Sequence, residues 1–301
     1  PSVAGLHGVS HRASLVQTWR RIRQKHFVND ASTQSRAMFE LLPKVQKVAA
    51  IALPKTHIFL LSHMRAYTSL FGHIMGSNPA ICGYYEMHIG YHSWKSPIRQ
   101  KLLYFEQENP KPGFSYMFDK ILHNDHYISP ELLNSRRAKA IFCLRQPRVV
   151  IPSILKLYRD TDPVHEFNSE AFATRYYIER LAMLESIASA MERDFFYLDA
   201  ESIKRRSNEC LGSLSDWLQL ATPLSDTYSL QQNTSRERYG DTSATLRECR
   251  ISREASHYEQ WPVDEELMKD ADAAYRKARS TLLRLSARNC VVDIDVEAPV
   301  C

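Results

Sequence analysis

The sequence predicts an α/β fold: a central, mostly parallel sheet flanked by helices, with a phosphate-binding-loop-like strand-loop-helix. Three observations point there. Short apolar runs alternate with longer stretches of helical spacing, the order expected of a parallel sheet covered by helices. The run KAIFCLR (139–145) is apolar without alternation, as a strand buried on both faces must be. Only nine glycines occur in 301 residues, too few for Gly-rich linkers or for the turns of a many-stranded all-β fold.

Taken in order, residues 31–50 have helical spacing, ended by Pro54. HIFLLS (57–62) is long enough for a buried strand and too short for a helix. TSLFGHIMGS (68–77) sets Leu70, Phe71, Ile74 and Met75 on one side of a helix. ICGYYE (81–86) reads as a strand, 97–108 as a helix and SYMFDKI (115–121) as a strand. Ser129 and Pro130 suit a helix cap and first turn. After the strand at 139–145, Gln146-Pro147 ends the run, and VVIPSILKLY opens a helix whose start Pro147 and Pro152 help to fix. A long helix over 168–192, a strand DFFYLD (194–199), a helix over 201–220 and a terminal helix over 264–288 complete the order. Residues 223–262 are polar, Arg-rich and weakly patterned, a long loop of the kind that carries function. We expect a helical N-terminal extension over 1–55, packed on a single α/β domain over 56–301.

Composition removes several function classes. With 44% hydrophobic residues and 39 basic against 34 acidic side chains, the chain is no disordered tail. Its six cysteines form no C-x-x-C pair, which speaks against a cysteine zinc site, and they are expected as reduced thiols in a reducing, intracellular setting. No run approaches the ~18 apolar residues of a membrane span. A net charge of +5 suits an anionic ligand without demanding nucleic acid. Residues 1–29 carry no acidic side chain and gather Arg20, Arg21, Arg23 and Lys25 near Trp19. That pattern fits a peripheral helix with a solvated basic face, and a trimmed transit or membrane-anchoring segment stays open beside a cytoplasmic location.

Two segments carry the chemistry. The strand ending at Ser62 runs through His63, Met64, Arg65, Ala66 and Tyr67 into the helix at Thr68 and Ser69. Such a turn aims backbone N–H groups and the helix dipole at one spot, where a phosphate binds well. The G-x-x-x-x-G-K of an NTP-binding loop is absent. The second segment puts Arg145 at a strand's carboxyl end, where open α/β sheets bind ligands, with Ser153 eight residues on. By itself, Arg145 reads first as the partner of a surface carboxylate. The pairs His88/His92 and His123/His126 lack a third ligand in sequence, and no metal is expected. Tyr84, Tyr85, Tyr91 and Trp94 fit aromatic core or the lining of an acceptor pocket.

Together, RAYTS after one strand and RQPRVVIPS after a later one resemble the two cofactor elements of sulfotransferases, which use adenosine 3′-phosphate 5′-phosphosulfate (PAPS). The likeness is to the tyrosylprotein and carbohydrate branch more than to the cytosolic branch, and covers about residues 56–160. Arg65, Thr68 and Ser69 match the R-S-G-T-[ST] element that wraps the 5′-phosphosulfate. Arg145, Pro147, Arg148 and Ser153 match R-D-P-R and its serine, which hold the 3′-phosphate. Ala66 and Tyr67 replace the usual Ser-Gly, removing a flexible glycine, and Gln146 replaces an aspartate.

The resemblance implies PAPS as donor, its desulfonated form adenosine 3′,5′-bisphosphate (PAP) as product, and no metal. It implies Glu86 as general base, with His88, His92 and His123 in reserve, and Lys120 near the transferred group. In the late loop Arg236, Tyr239 and Ser243 fall where the family covers its cofactor, alongside Arg238, Gly240, Arg247 and Arg250. The acceptor is expected to be a small molecule or a glycan. Oligomeric state stays open, a homodimer included. A kinase on a related core and a non-catalytic protein gripping a sulfated or phosphorylated ligand remain as alternatives.

Overall fold

A computed structural model describes residues 42–231, 244–252 and 261–293 of the chain. The chain divides into two compact units between Leu53 and Pro54. In the first, residues 42–52 form helix α1. The second carries a six-stranded sheet in the order β2-β3-β1-β4-β5-β6, every neighbouring pair parallel.

The chain enters the sheet at β1 (Thr56–Leu61) and leaves it by α2 (Thr68–Ser77). It reaches the edge strand β2 (Ile81–Cys82), then returns through α3 (Ser96–Gln107) to β3 (Tyr116–Ile121), beside β1. The short α4 (Pro130–Leu133) leads to β4 (Ala138–Leu144) on the other side of β1, followed by α5 (Pro147–Thr161) and α6 (Glu170–Ser189). Next come β5 (Phe196–Asp199), α7 (Ser202–Arg205) and α8 (Ser207–Leu218), and the chain closes with α9 (Glu265–Leu285) and β6 (Arg288–Cys290).

Strand alternation divides the core into two. Phe59, Leu61, Phe142 and Leu144 face α5, α6 and α9, while Ile58, Leu60, Ile141 and Cys143 face α2 and α8. The helices that follow the adjacent strands β1 and β4 therefore lie on opposite faces of the sheet. Their connections diverge at the strands' carboxyl ends, the place where open α/β sheets take ligands.

Several expected elements differ in extent, each for a local reason. ICGYYE is a strand for two residues only. Gly83 turns left-handed, with φ 108°, and presses on β3 so closely that a Cβ would sit 2.2 Å from the Phe118 carbonyl oxygen. Pro152 lies inside α5 instead of at its opening, because the helix already starts at Pro147. The single helix expected over 201–220 breaks at Arg206 into α7 and α8. Strand β6 escapes sequence reading because two of its three residues, Arg288 and Asn289, are exposed and polar; pairing with β5 alone makes it a strand. Of the long loop, residues 223–231, 244–252 and 261–262 are described, and Thr227 and Arg250 form an antiparallel bridge there. The basic segment over 1–29 lies outside the described residues. No helix among the described residues is long and apolar enough to cross a membrane.

Candidate functional site

The connection from β1 to α2 bends through two left-handed residues, Arg65 (φ 63°) and Tyr67 (φ 54°). Neither is a glycine, so each holds a conformation costing about 1–2 kcal/mol, and its surroundings must enforce it. Such bends turn successive N–H groups inward and make anion-binding concavities. Helix α2 then starts without a side-chain cap and without an acidic residue in its first turn, leaving its positive end uncountered.

The enforcement comes from the end of β4. Arg145 is buried, and its guanidinium donates to the Arg65 carbonyl at 2.9 Å and to the Tyr67 hydroxyl at 2.5 Å. It also stacks 3.9 Å from the centre of the Tyr67 ring. Its Nε donates to Glu201 at 3.0 Å, so the carboxylate partner that the lone sequence reading allowed is present, at the N-terminus of α7. Arg65 turns the other way, its Nε donating to the Ser153 hydroxyl at 2.8 Å. Ser153 thus answers Arg65, an arginine of the other segment. Lys204 Nζ lies 5.0 Å over the same Tyr67 ring and adds a further cation.

Below this cluster the two strand ends are spliced by His63. Its Nε2 accepts from the Arg145 backbone N–H at 3.1 Å, and its Nδ1 donates to the Met64 carbonyl at 2.8 Å. Burial lowers its pKa to about 3, which keeps the ring neutral and able to do both. Ser62 donates to the Cys143 carbonyl at 2.7 Å, and Tyr177 donates to the Arg145 carbonyl at 2.5 Å.

A second splice joins β1 to β3. Arg180, among the most deeply buried side chains, donates to the carbonyls of Ser62 at 2.8 Å and Ile121 at 2.5 Å, and to Asn124 Oδ1 at 2.9 Å. Burial pulls its pKa down to about 10. Tyr176 accepts from the Met64 N–H at 3.0 Å and donates to the Leu122 carbonyl at 2.9 Å. Glu86 accepts from the N–H of the same residue, Leu122, at 3.4 Å. Its carboxylate is therefore anchored just beyond the carboxyl end of β3. His88, also left-handed at φ 52°, places Nδ1 3.9 Å from Glu86 Oε1 and 3.3 Å from His126 Nε2.

The segment after β2 is tied down by Asp119 on β3, which is fully buried. It accepts from Tyr91 at 2.5 Å, from the Met87 N–H at 2.9 Å and from the Lys120 N–H at 2.7 Å. Desolvation raises its pKa from 3.8 to about 7, against the pull of those donors. The folded chain holds this proton more tightly than the unfolded chain, so stability falls as pH rises between the two values. Chemical denaturation of Asp119→Asn should lack that decline, which in the parent amounts to a few kcal/mol between about pH 4 and 7.

The structure thus brings Arg65, Ala66, Tyr67, Thr68, Ser69, Arg145 and Ser153 to one sheet tip. Lys120 is buried on the α2 face of the sheet, two residues from Phe118, with its charge felt at His73. Of the aromatic group, Tyr84, Tyr85 and Tyr91 are core residues and Trp94 is exposed. The helical spacing of His88/His92 and His123/His126 is not realised, because neither segment is helical, and His88 meets His126 instead. Arg236, Tyr239 and Ser243, with Arg238 and Gly240, lie outside the described residues. Sequence reasoning missed His63, Arg180, Glu201 and Lys204. Only Lys204 left a signal, as part of the basic run Lys204-Arg205-Arg206 just after a strand.

No protein-family model and no curated protein matches the chain. Among solved structures, retinol dehydratase in complex with retinol and PAP is similar at 13% identity and a TM-score of 0.22, covering 76% of this chain and 83% of that one. The sulfotransferase domain of the Synechococcus PCC 7002 olefin synthase is similar at 14% identity and a TM-score of 0.43, covering 73% of this chain and 94% of that one. The chain is also similar in structure to the sulfotransferase domain of the curacin biosynthetic pathway, at 14% identity and a TM-score of 0.45 over 74% of this chain and 98% of that domain.

Proposed function

We propose that this chain is a sulfotransferase that moves a sulfuryl group from PAPS to an acceptor hydroxyl of a glycan, small alcohol or phenol. One arrangement carries the reading: two arginines from separate strand ends, Arg65 and Arg145, meet around a left-handed loop at the uncapped start of α2. That donor set suits a nucleotide with phosphate at both ends. At the 5′ end, Arg65, Thr68, Ser69 and the loop N–H groups offer cationic and neutral donors. At the 3′ end, a phosphate would take the place of Glu201 against Arg145, with Ser153 beside it.

In the reaction the acceptor oxygen attacks sulfur in line, and the bond from sulfur to the 5′-phosphate oxygen breaks. The acceptor proton passes to Glu86, and the electron pair of the broken bond stays on the departing PAP. Arg65 and the N-terminus of α2 oppose that growing charge, and Lys120 shares the load. The protein's part is positioning and charge neutralisation, as in phosphoryl transfer.

Titration calorimetry with PAP, compared with ATP plus Mg²⁺, tests the donor, and labelled PAPS offered with mixed acceptors tests transfer. Preference for ATP would favour the kinase reading, and PAP binding without transfer would favour the non-catalytic one. Arg145→Ala should weaken PAP by about 10- to 100-fold, the worth of one or two charge-assisted hydrogen bonds; unchanged affinity would remove Arg145 from the site.

A further inference from the structure

Beyond the donor site, we propose that Glu86, His88 and His126 form a binding site for a single divalent transition-metal ion of the zinc class. One ligand atom from each residue can be chosen so that all three lie within 4.8 Å of one another. The spacing of His88 Nδ1 and His126 Nε2, 3.3 Å, matches the edge of a tetrahedral zinc shell, which Zn–N bonds of about 2.0–2.1 Å set at about 3.3–3.4 Å. Glu86 Oε1, at 3.9 Å from His88 Nδ1, needs only a side-chain adjustment to close the triangle. Two imidazoles and one carboxylate are a ligand set that zinc sites use when they keep a further position open.

The three residues come from two segments, one after β2 and one after β3, so the site exists only once the sheet has formed. Its parts differ in mobility in a useful way. Glu86 is nearly buried and anchored by the Leu122 N–H, giving one preset ligand. The His88 side chain is 45% exposed, which gives the ion a way in and leaves room for water or another donor. The ion's charge would also be answered by a fixed carboxylate instead of by two neutral rings alone, which a purely imidazole–imidazole contact would not provide.

On the sulfotransferase reading, the site has a consequence for regulation. A metal bound to Glu86 occupies the lone pair that would accept the acceptor's proton, so zinc would inhibit transfer and a chelator would relieve it. That consequence rests on the proposed function, whereas the site itself does not, and the experiment keeps the two apart.

The test titrates Co²⁺ into tag-free, chelator-treated protein with no donor or acceptor present, reading visible d–d absorption, followed by displacement with Zn²⁺. One equivalent of Co²⁺ giving intense bands that Zn²⁺ abolishes is the expected result. His88→Gln and His126→Gln should each weaken binding at least 10-fold, and Glu86→Gln should do likewise, all with thermal melting near that of the parent. His92→Gln serves as a control and should bind as the parent does. Absence of the bands in the parent would overturn the site, as would parent-like Co²⁺ binding in both His88→Gln and His126→Gln. Zinc binding without inhibition of a demonstrated transfer would leave the site standing and remove Glu86 from the role of base.

Discussion

Glu86→Gln is expected to lower turnover at saturating donor and acceptor by about 100-fold or more, with PAP affinity unchanged within about twofold. The substitution keeps the shape of the side chain, and the amide oxygen can still accept from the Leu122 N–H. What it loses is the capacity to take a proton. Because Glu86 lies beyond β3 while the proposed phosphate donors gather at the ends of β1 and β4, the two functions should separate cleanly in steady-state kinetics and calorimetry. The assay is run in chelator, so that metal occupancy does not enter the comparison. Comparable turnover in the variant would take Glu86 out of the base role and leave the donor site untouched.

The second large effect concerns stability. Asp199, at the carboxyl end of β5, is fully buried. It accepts from Arg279 at 2.9 and 2.7 Å, from Tyr197 at 2.6 Å and from the Val292 N–H at 3.0 Å. Arg279→Met removes the only cation that an ion pair records for this carboxylate among the described residues and should destabilise the fold by about 3–5 kcal/mol in chemical denaturation. Arg279→Lys, which keeps the charge and gives up the two-pronged geometry, should cost distinctly less. An equal loss in both variants would mean that the planar fork, and not the charge, matters to Asp199. Because Asp199 ties β5 to the stretch after β6, the loss should extend to the pairing of this sheet edge.

How far an element shows in the sequence follows the range over which its interactions act. The strand at 139–145 was legible because a strand buried on both faces must be apolar throughout, and it appears as Ala138–Leu144. Helix α2 was legible to the residue, since its apolar stripe, its start after a loop and its end at Asn78 are all local signals. The extent of β2 was not, because Gly83 breaks that run for a reason lodged in β3, the close approach of Phe118. The pairing of His88 with His126 was hidden in the same way. Periodicity suggests partners three or four residues away, while these two segments are joined by the sheet.

The candidate site divides along the same line. That Arg65 and Arg145 stand at the carboxyl ends of parallel strands could be read directly, because each strand is defined by its own apolar run. Their division of labour could not. Arg145 braces the loop through the Arg65 carbonyl and the Tyr67 hydroxyl while Arg65 reaches Ser153. This arrangement depends on Tyr67 adopting a left-handed conformation where a glycine would do so freely, which the stacked guanidinium compensates.

The sequence alone determines an α/β chain with two cationic strand ends, because burial on both faces of a parallel sheet writes itself into the central strands β1 and β4. Tertiary structure alone decided which groups meet at those ends: the neutral His63 splice, the Glu201 counter-charge, and the Glu86–His88–His126 triangle. Most of these contacts join residues tens of positions apart through single hydrogen bonds or ion pairs, and a single polar contact imposes no period on the chain.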